Sequence, residues 1–170
     1  MIEDKIEIAK GDITKFKVDA IVNAANTSLL VGGGVDGAIH RAAGPQLLEY
    51  NKKLGGCSKG EAKISPGFNL PAKFIIHTVG PVWDGGKNNE PELLANCYKN
   101  SLRLAIENNA KTIAFPAIST GIYHFPLEQA TKIALTETKK ILQNNSSIEK
   151  IIFVCFDEKT FEVYKNFLKN

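Results

Sequence analysis

Short apolar runs alternate along this chain with amphipathic helical stretches, joined by brief polar connections. That pattern predicts an α/β protein, a three-layer α/β/α fold whose sheet is largely parallel at its centre. Val18–Val22, Phe74–Val79, Thr112–Ala117 and Ile151–Phe156 are each too short for a buried helix. Asn23, Gly80 and Asp157 follow three of them, as turn residues follow strands. A length of 170 residues suits one domain, 1–170, able to bury a sizeable core. With 44% hydrophobic and 23% charged residues, the composition is that of a soluble globular chain.

Taken in order, Lys5–Ala9 alternates charged and apolar residues as an edge strand, and Asp12-Ile13-Thr14 turns after Gly11. The strand Val18–Val22 ends abruptly in two carboxamides, Asn23 and Asn26. Gly32-Gly33-Gly34 follows, then Asp36 and a helix over Gly37–Ala43 containing His40. Pro45 opens a helix through Leu54 that Gly55-Gly56 closes. Ala62–Ser65 is a brief strand, Phe74–Val79 a stronger one stopped by Gly80-Pro81, and Trp83–Pro91 a loop. Leu94, Cys97, Tyr98, Ser101, Leu102 and Ala105 mark one face of a helix over Pro91–Asn108. Thr112–Ala117 runs into Ser119-Thr120-Gly121. Leu127, Ala130, Ile133, Ala134, Ile141 and Leu142 mark a further helix, and Phe161, Tyr164, Phe167 and Leu168 a closing one after the strand Ile151–Phe156.

Charge and cysteine content narrow the function. Lys and Arg number 21 against 18 Asp and Glu, a net +3 spread over scattered lysines. That suits an anionic ligand and falls short of a nucleic-acid footprint. The cysteines Cys57, Cys97 and Cys155 form no C-x-x-C, so neither a disulfide framework nor a zinc site is expected, and a cytoplasmic location is. The acidic Met1-Ile2-Glu3-Asp4 start lacks signal-peptide layout, and no apolar run reaches the roughly 18 residues of a membrane span.

Open α/β sheets bind ligands at the carboxyl ends of central strands. Three connections there carry suitable chemistry: Asn23–Asp36, Ser119–Tyr123 and Phe156-Asp157. A glycine run that opens a helix offers free N–H groups to an anion. Gly32–Gly37 formally matches G-x-G-x-x-G, but a dinucleotide fingerprint wants the glycines directly after the strand and an acid about 20 residues later. Here Asn23–Val31 intervenes, and Gly56 and Cys57 stand where the acid should be. No Gly-Lys-Ser/Thr follows any glycine run, which excludes a P-loop. Two glycine turns at neighbouring strand ends could instead grip a diphosphate through backbone amides alone, without a lysine or arginine in either loop.

Other candidates have two readings each. Asp12 can cap a turn or accept from a ligand amine. Phe156 ends an apolar strand, where core burial is ordinary and stacking on a base the sharper idea. Tyr123 can line a pocket wall. His77 and His124 have no partners at metal-ligand spacing. His40 shares a helix face with Asp36, which suits a structural hydrogen bond, and Ser119 lacks an evident His/Asp pairing.

These residues are familiar as a set. Gly11-Asp12-Ile13-Thr14, the run Val18–Asn26 ending in N-A-A-N, and Gly32–Gly44 strongly resemble a macrodomain of the MacroD-like ADP-ribosyl-hydrolase branch. H-T-V-G-P-V-W from His77, F-P-A-I-S-T-G-I-Y-H-F-P from Phe115, and Phe153–Asp157 continue the match over essentially the whole chain. The resemblance implies a mixed sheet of about six strands and a cleft for ADP-ribose. Asp12 would bind the adenine amine, with Ile13 nearby and Phe156 packed on the base. Gly33, Gly34 and Val35 would line one phosphate loop, and Ser119, Thr120, Gly121, Ile122 and Tyr123 the other, Tyr123 also bordering the distal ribose. Asn26 would hold that ribose's hydroxyls, and Asp36 would orient or activate the attacking water.

Members of this branch remove ADP-ribose from acidic side chains and deacetylate O-acetyl-ADP-ribose. The expected partners are therefore ADP-ribose, O-acetyl-ADP-ribose or mono-ADP-ribosylated proteins, with no cofactor, no metal, no membrane, no nucleic acid and a monomeric state. Val31 departs from the pattern where many relatives carry a further glycine, and His124 replaces another. The alternative is a non-catalytic ADP-ribose reader; RNA binding has only the mild positive charge behind it.

Overall fold

The computed structural model describes residues 1–170. Six strands run β1 (Ile6–Lys10), β2 (Ala20–Ala24), β3 (Ala62–Pro66), β4 (Phe74–Thr78), β5 (Thr112–Phe115) and β6 (Lys150–Cys155). The helices are α1 (Gly34–Ala43), α2 (Pro45–Leu54), α3 (Glu90–Glu107), α4 (Leu127–Asn144) and α5 (Glu158–Lys169). One sheet holds every strand in the order β1-β6-β5-β2-β4-β3. All neighbours pair in parallel except β3, which lies antiparallel on β4 at one edge.

The period of two along each strand divides the core. Ala20, Val22, Ile76, Ile113, Phe115, Ile151 and Phe153 point to one face and pack with Leu94, Tyr98 and Leu102 of α3, Ala134 of α4 and Tyr164 of α5. Ile21, Ile75, Ala114, Ile152 and Val154 point to the other and meet Ile39 and Ala43 of α1 and Leu47 of α2. The expected three layers and mixed sheet are therefore present. No helix is long and apolar enough to cross a membrane.

Several element boundaries differ from expectation by one to three residues, and those of β2 and α1 bear on the site, each for a physical reason. β2 begins at Ala20 rather than Val18 and continues through Asn23 to Ala24. The carboxamide of Asn23 is fully buried, yet its Nδ2 is hydrogen-bonded, so polarity does not end the strand. Helix α1 starts at Gly34 rather than Gly37, with Gly33 as an N-cap that has no side-chain cap. Asp36 thus falls in the first turn, where an acid is favoured by the helix dipole. Because β1, β6, β5, β2 and β4 run in parallel, the connections after them all emerge at one edge of the sheet.

Candidate functional site

Five segments share that edge: Gly11–Thr14 after β1, Phe156-Asp157 after β6, residues 116–126 after β5, residues 25–33 after β2, and residues 79–89 after β4. At one end stand Asp12 and Phe156, just past the ends of the neighbouring strands β1 and β6. Asp12 caps a short 3-10 turn: its Oδ1 accepts from Thr14 N at 3.0 Å and from Thr14 Oγ1 at 2.6 Å. The hydroxyl bond first, then the amide bond, holds its carboxyl below the ordinary carboxylate range. The cap reading is thereby realised, and both bonds fall on the same oxygen.

Phe156 is 95% exposed, so the ordinary expectation of core burial fails. The β6 ladder stops at Cys155, and the ring is carried past the end of the sheet. An uncovered Phe forgoes about 1.5–3 kcal/mol of burial. Ile13 follows Asp12 directly, and its side chain is 5% exposed in the core with Val18 and Ile21. Any contact it makes in the cleft must come from its backbone.

The two glycine loops follow β2 and β5, which are neighbours in the sheet. A Cβ added at Gly33, Gly34 or Gly121 would meet nothing within 4 Å, so these backbones border open space. Gly34 has φ +57, a conformation that favours glycine. Val35, half-buried, packs on the α1-side core beneath them. In the second loop Ser119 takes φ +67 and accepts from Phe125 N at 2.9 Å, while His124 takes φ +59 and donates its N–H to Gly121 O at 3.0 Å. Ile122 is 85% exposed at the tip. Gly80 lets this loop approach β4, since a Cβ there would fall 2.1 Å from Ser119 Oγ. Trp83 N donates to Tyr123 O at 2.8 Å, and the Trp83 ring lies 4.8 Å from that of Phe125. Buried Glu90 fastens the same post-β4 segment by accepting from the N–H groups of Asp84 (2.7 Å), Gly86 (3.0 Å) and Asn88 (2.6 Å). Neither Trp83 nor Glu90 was marked as contributing to the site by its sequence context.

Asn26 and Asp36 converge on Gly32. A Cβ there would lie 3.0 Å from Asn26 Nδ2 and 3.1 Å from Asp36 Oδ2. Asn26 Nδ2 donates to Leu30 O at 3.2 Å, and its Oδ1 accepts from Ser28 Oγ at 2.6 Å. Asp36 is 4% exposed. Its Oδ2 accepts from Gly32 N at 2.6 Å and its Oδ1 from Asn23 Nδ2 at 2.7 Å, with His40 Nε2 3.5 Å from Oδ1. The acid therefore reaches back into the loop rather than pointing out along the helix axis, so the glycine amides and the carboxylate coexist.

Behind Asp36 lie three residues that the sequence did not mark as a unit. Asn23 and His77 are register partners on β2 and β4. Asn23 Nδ2 is 3.0 Å from His77 Nδ1, and His77 Nε2 is 2.9 Å from Ser65 Oγ on β3. Burial first, then proximity to His40, pushes the His77 imidazole down to about 3, so it is neutral. The signal that could have found Asn23 and His77 is a polar residue interrupting each of two apolar strands, whereas Ser65 lies in the mixed strand β3 and stands out by nothing local.

Paired glycine-bearing turns at the ends of adjacent parallel strands, with an acid behind one of them, place the site where open α/β domains bind their ligands. The chain belongs to the macrodomain family: the Macro domain family model matches residues 22–134. It is 63% identical over 163 residues to a macro domain-containing protein of Chlorobaculum tepidum, covering 96% of this chain and 95% of that one. It is 54% identical over 166 residues to a Klebsiella pneumoniae protein named O-acetyl-ADP-ribose deacetylase, covering 95% of each. Among solved structures, the Oceanobacillus iheyensis macrodomain with ADP superposes with a TM-score of 0.91 at 46% identity, covering 96% of this chain and 90% of that one.

Proposed function

We propose that this chain, as a single macrodomain over residues 1–170, binds ADP-ribose and hydrolyses esters carried on its distal ribose. The substrates in this reading are O-acetyl-ADP-ribose and ADP-ribose joined to acidic side chains, in the reducing cytoplasm where three unpaired cysteines persist. The observation that carries it is the convergence of Asn26 and Asp36 on Gly32, immediately before the uncapped N-terminus of α1. The Klebsiella relative's name and the ADP held by the Oceanobacillus structure support the same reading.

The diphosphate lies between the amides of Gly33, Gly34 and Val35 and those of Ser119, Thr120, Gly121 and Ile122, where the α1 dipole favours negative charge. Oδ2 of Asp12 accepts from the adenine amine, and Phe156 covers the base. Tyr123 borders the distal ribose, and Asn26 can donate and accept at its hydroxyls. Each Asp36 oxygen already accepts one protein N–H and keeps one lone pair. It therefore orients the attacking water rather than serving as a freely swinging base. The water oxygen bonds to the acyl carbon, the bond from that carbon to the ribose oxygen breaks, and a proton passes from the water, by way of the ligand's phosphate, to the departing hydroxyl.

The test uses purified protein with O-acetyl-ADP-ribose and with a protein modified on acidic residues. Wild type should release acid and free ADP-ribose, whereas a reader would bind ADP-ribose and release neither. Asn26→Ala and Asp36→Ala should each lower turnover by about 10²-fold, the cost of misplacing a reacting group, with ADP-ribose affinity largely kept.

A further inference from the structure

We propose that Ser65, His77 and Asn23 form a directed hydrogen-bond relay that positions the Asp36 carboxylate, with His77 as its decisive positioning residue. This rests on the hydrolase reading above and deepens it. The direction follows from chemistry at each atom. Ionised Asp36 can only accept, so Asn23 must present its NH₂ to Oδ1, 2.7 Å away. The second hydrogen of the same nitrogen then faces His77 Nδ1 at 3.0 Å, which must accept. Nε2 therefore carries the imidazole hydrogen and donates to Ser65 Oγ at 2.9 Å. Ser65 in turn donates to Pro66 O at 3.1 Å, which closes the chain on the backbone of the edge strand.

His77 decides the geometry because Asn23 has no other anchor. Asn23 Oδ1 is buried without a hydrogen-bond partner, so the plane of the amide is set only by the two bonds from Nδ2. If the His77 acceptor is lost, one of those bonds goes and the amide can swing. At Oδ1 nothing substitutes for Asn23: His40 Nε2 stays 3.5 Å away and is itself without a hydrogen-bond partner, and the Gly32 N–H holds only Oδ2. All three relay residues are at most 2% exposed and lie behind the cleft, so none touches a bound nucleotide. Their effect must travel through Asp36. Accordingly they govern the rate of the hydrolytic step and leave nucleotide binding alone.

Single-turnover hydrolysis of O-acetyl-ADP-ribose and calorimetry with ADP-ribose test this on His77→Phe, His77→Gln and Ser65→Ala. Gln keeps an acceptor for Asn23 and a donor for Ser65; Phe keeps only bulk. His77→Phe should slow hydrolysis about 10–100-fold, the effect typical of outer partners that orient a site's working groups. Gln should restore most of that rate, Ser65→Ala should give a smaller loss, and ADP-ribose affinity should be unchanged throughout. A wild-type rate in His77→Phe, a Gln variant as slow as Phe, or a rate loss matched by lost affinity overturns the relay. If His77→Phe does not fold, Ser65→Ala decides: a lowered rate with intact affinity supports the relay, and an unaltered rate overturns it. Wild-type protein that binds ADP-ribose and leaves the ester intact overturns the hydrolase reading and the relay together. Active wild type with an equally active His77→Phe overturns the relay alone.

Discussion

Acidification should expose His77 as a stability switch, and the size of the effect follows from its burial. The imidazole titrates at about 3 in the folded protein against 6.5 when unperturbed. Between those values the unfolded chain binds a proton that the native protein refuses, so stability rises with pH there and is lost as pH falls. At pH 5 the difference is about 2 kcal/mol, and below pH 3 it levels off near about 5 kcal/mol. His77→Gln preserves both hydrogen-bonding roles and removes the titration. Urea unfolding of wild type and variant at pH 7 and pH 5 isolates the contribution, since every other group titrates alike in both. From pH 7 to pH 5 the wild type should lose about 2 kcal/mol more than the variant. Equal losses would refute the claim that a neutral, tautomerically fixed imidazole sits between Asn23 and Ser65.

Three further outcomes follow from the cleft. Gly121→Glu should fold with an unchanged unfolding midpoint, since its Cβ meets nothing within 4 Å, yet lose ADP-ribose binding by calorimetry because the new carboxylate enters the phosphate space. Phe156→Ala should leave stability unaltered and weaken ADP-ribose binding by about 1–3 kcal/mol, the range for a base stacked on an aromatic ring; equal affinities would remove Phe156 from the base subsite. His124→Gly relieves about 1 kcal/mol of left-handed backbone strain and adds comparable freedom to the unfolded chain. The melting temperature should therefore barely move, while amide exchange in residues 119–125 accelerates.

What the sequence made legible is what local pattern controls. Strand and helix order followed from periodicity, and the glycine loops were readable because Gly33, Gly34 and Gly121 are needed for open backbone rather than for packing. The family motif gave Asn26 and Asp36 together, and they do meet at Gly32. Contacts between distant segments were not legible. Asn23 read as the residue ending a strand because polarity normally does so, whereas its burial depends on Asp36 and on His77, its register partner on β4. Ser65 gives no local sign of its bond to His77, because their register across β3 and β4 is a tertiary property. Glu90 looks like an ordinary acid opening α3, and only the fold of residues 84–88 turns it into a clasp for three N–H groups. Phe156 misled in the other direction, since apolar content cannot tell the last residue of a buried strand from the first one beyond it.

The most direct measurement of the central claim is a crystal structure of the wild-type protein soaked with ADP-ribose. The diphosphate should lie between the amides of residues 33–35 and 119–122, with adenine on Phe156 and the distal ribose within hydrogen-bond reach of Asn26 Nδ2. A diphosphate bound anywhere else on the molecule, or a distal ribose turned away from Asn26 and Asp36, would contradict it.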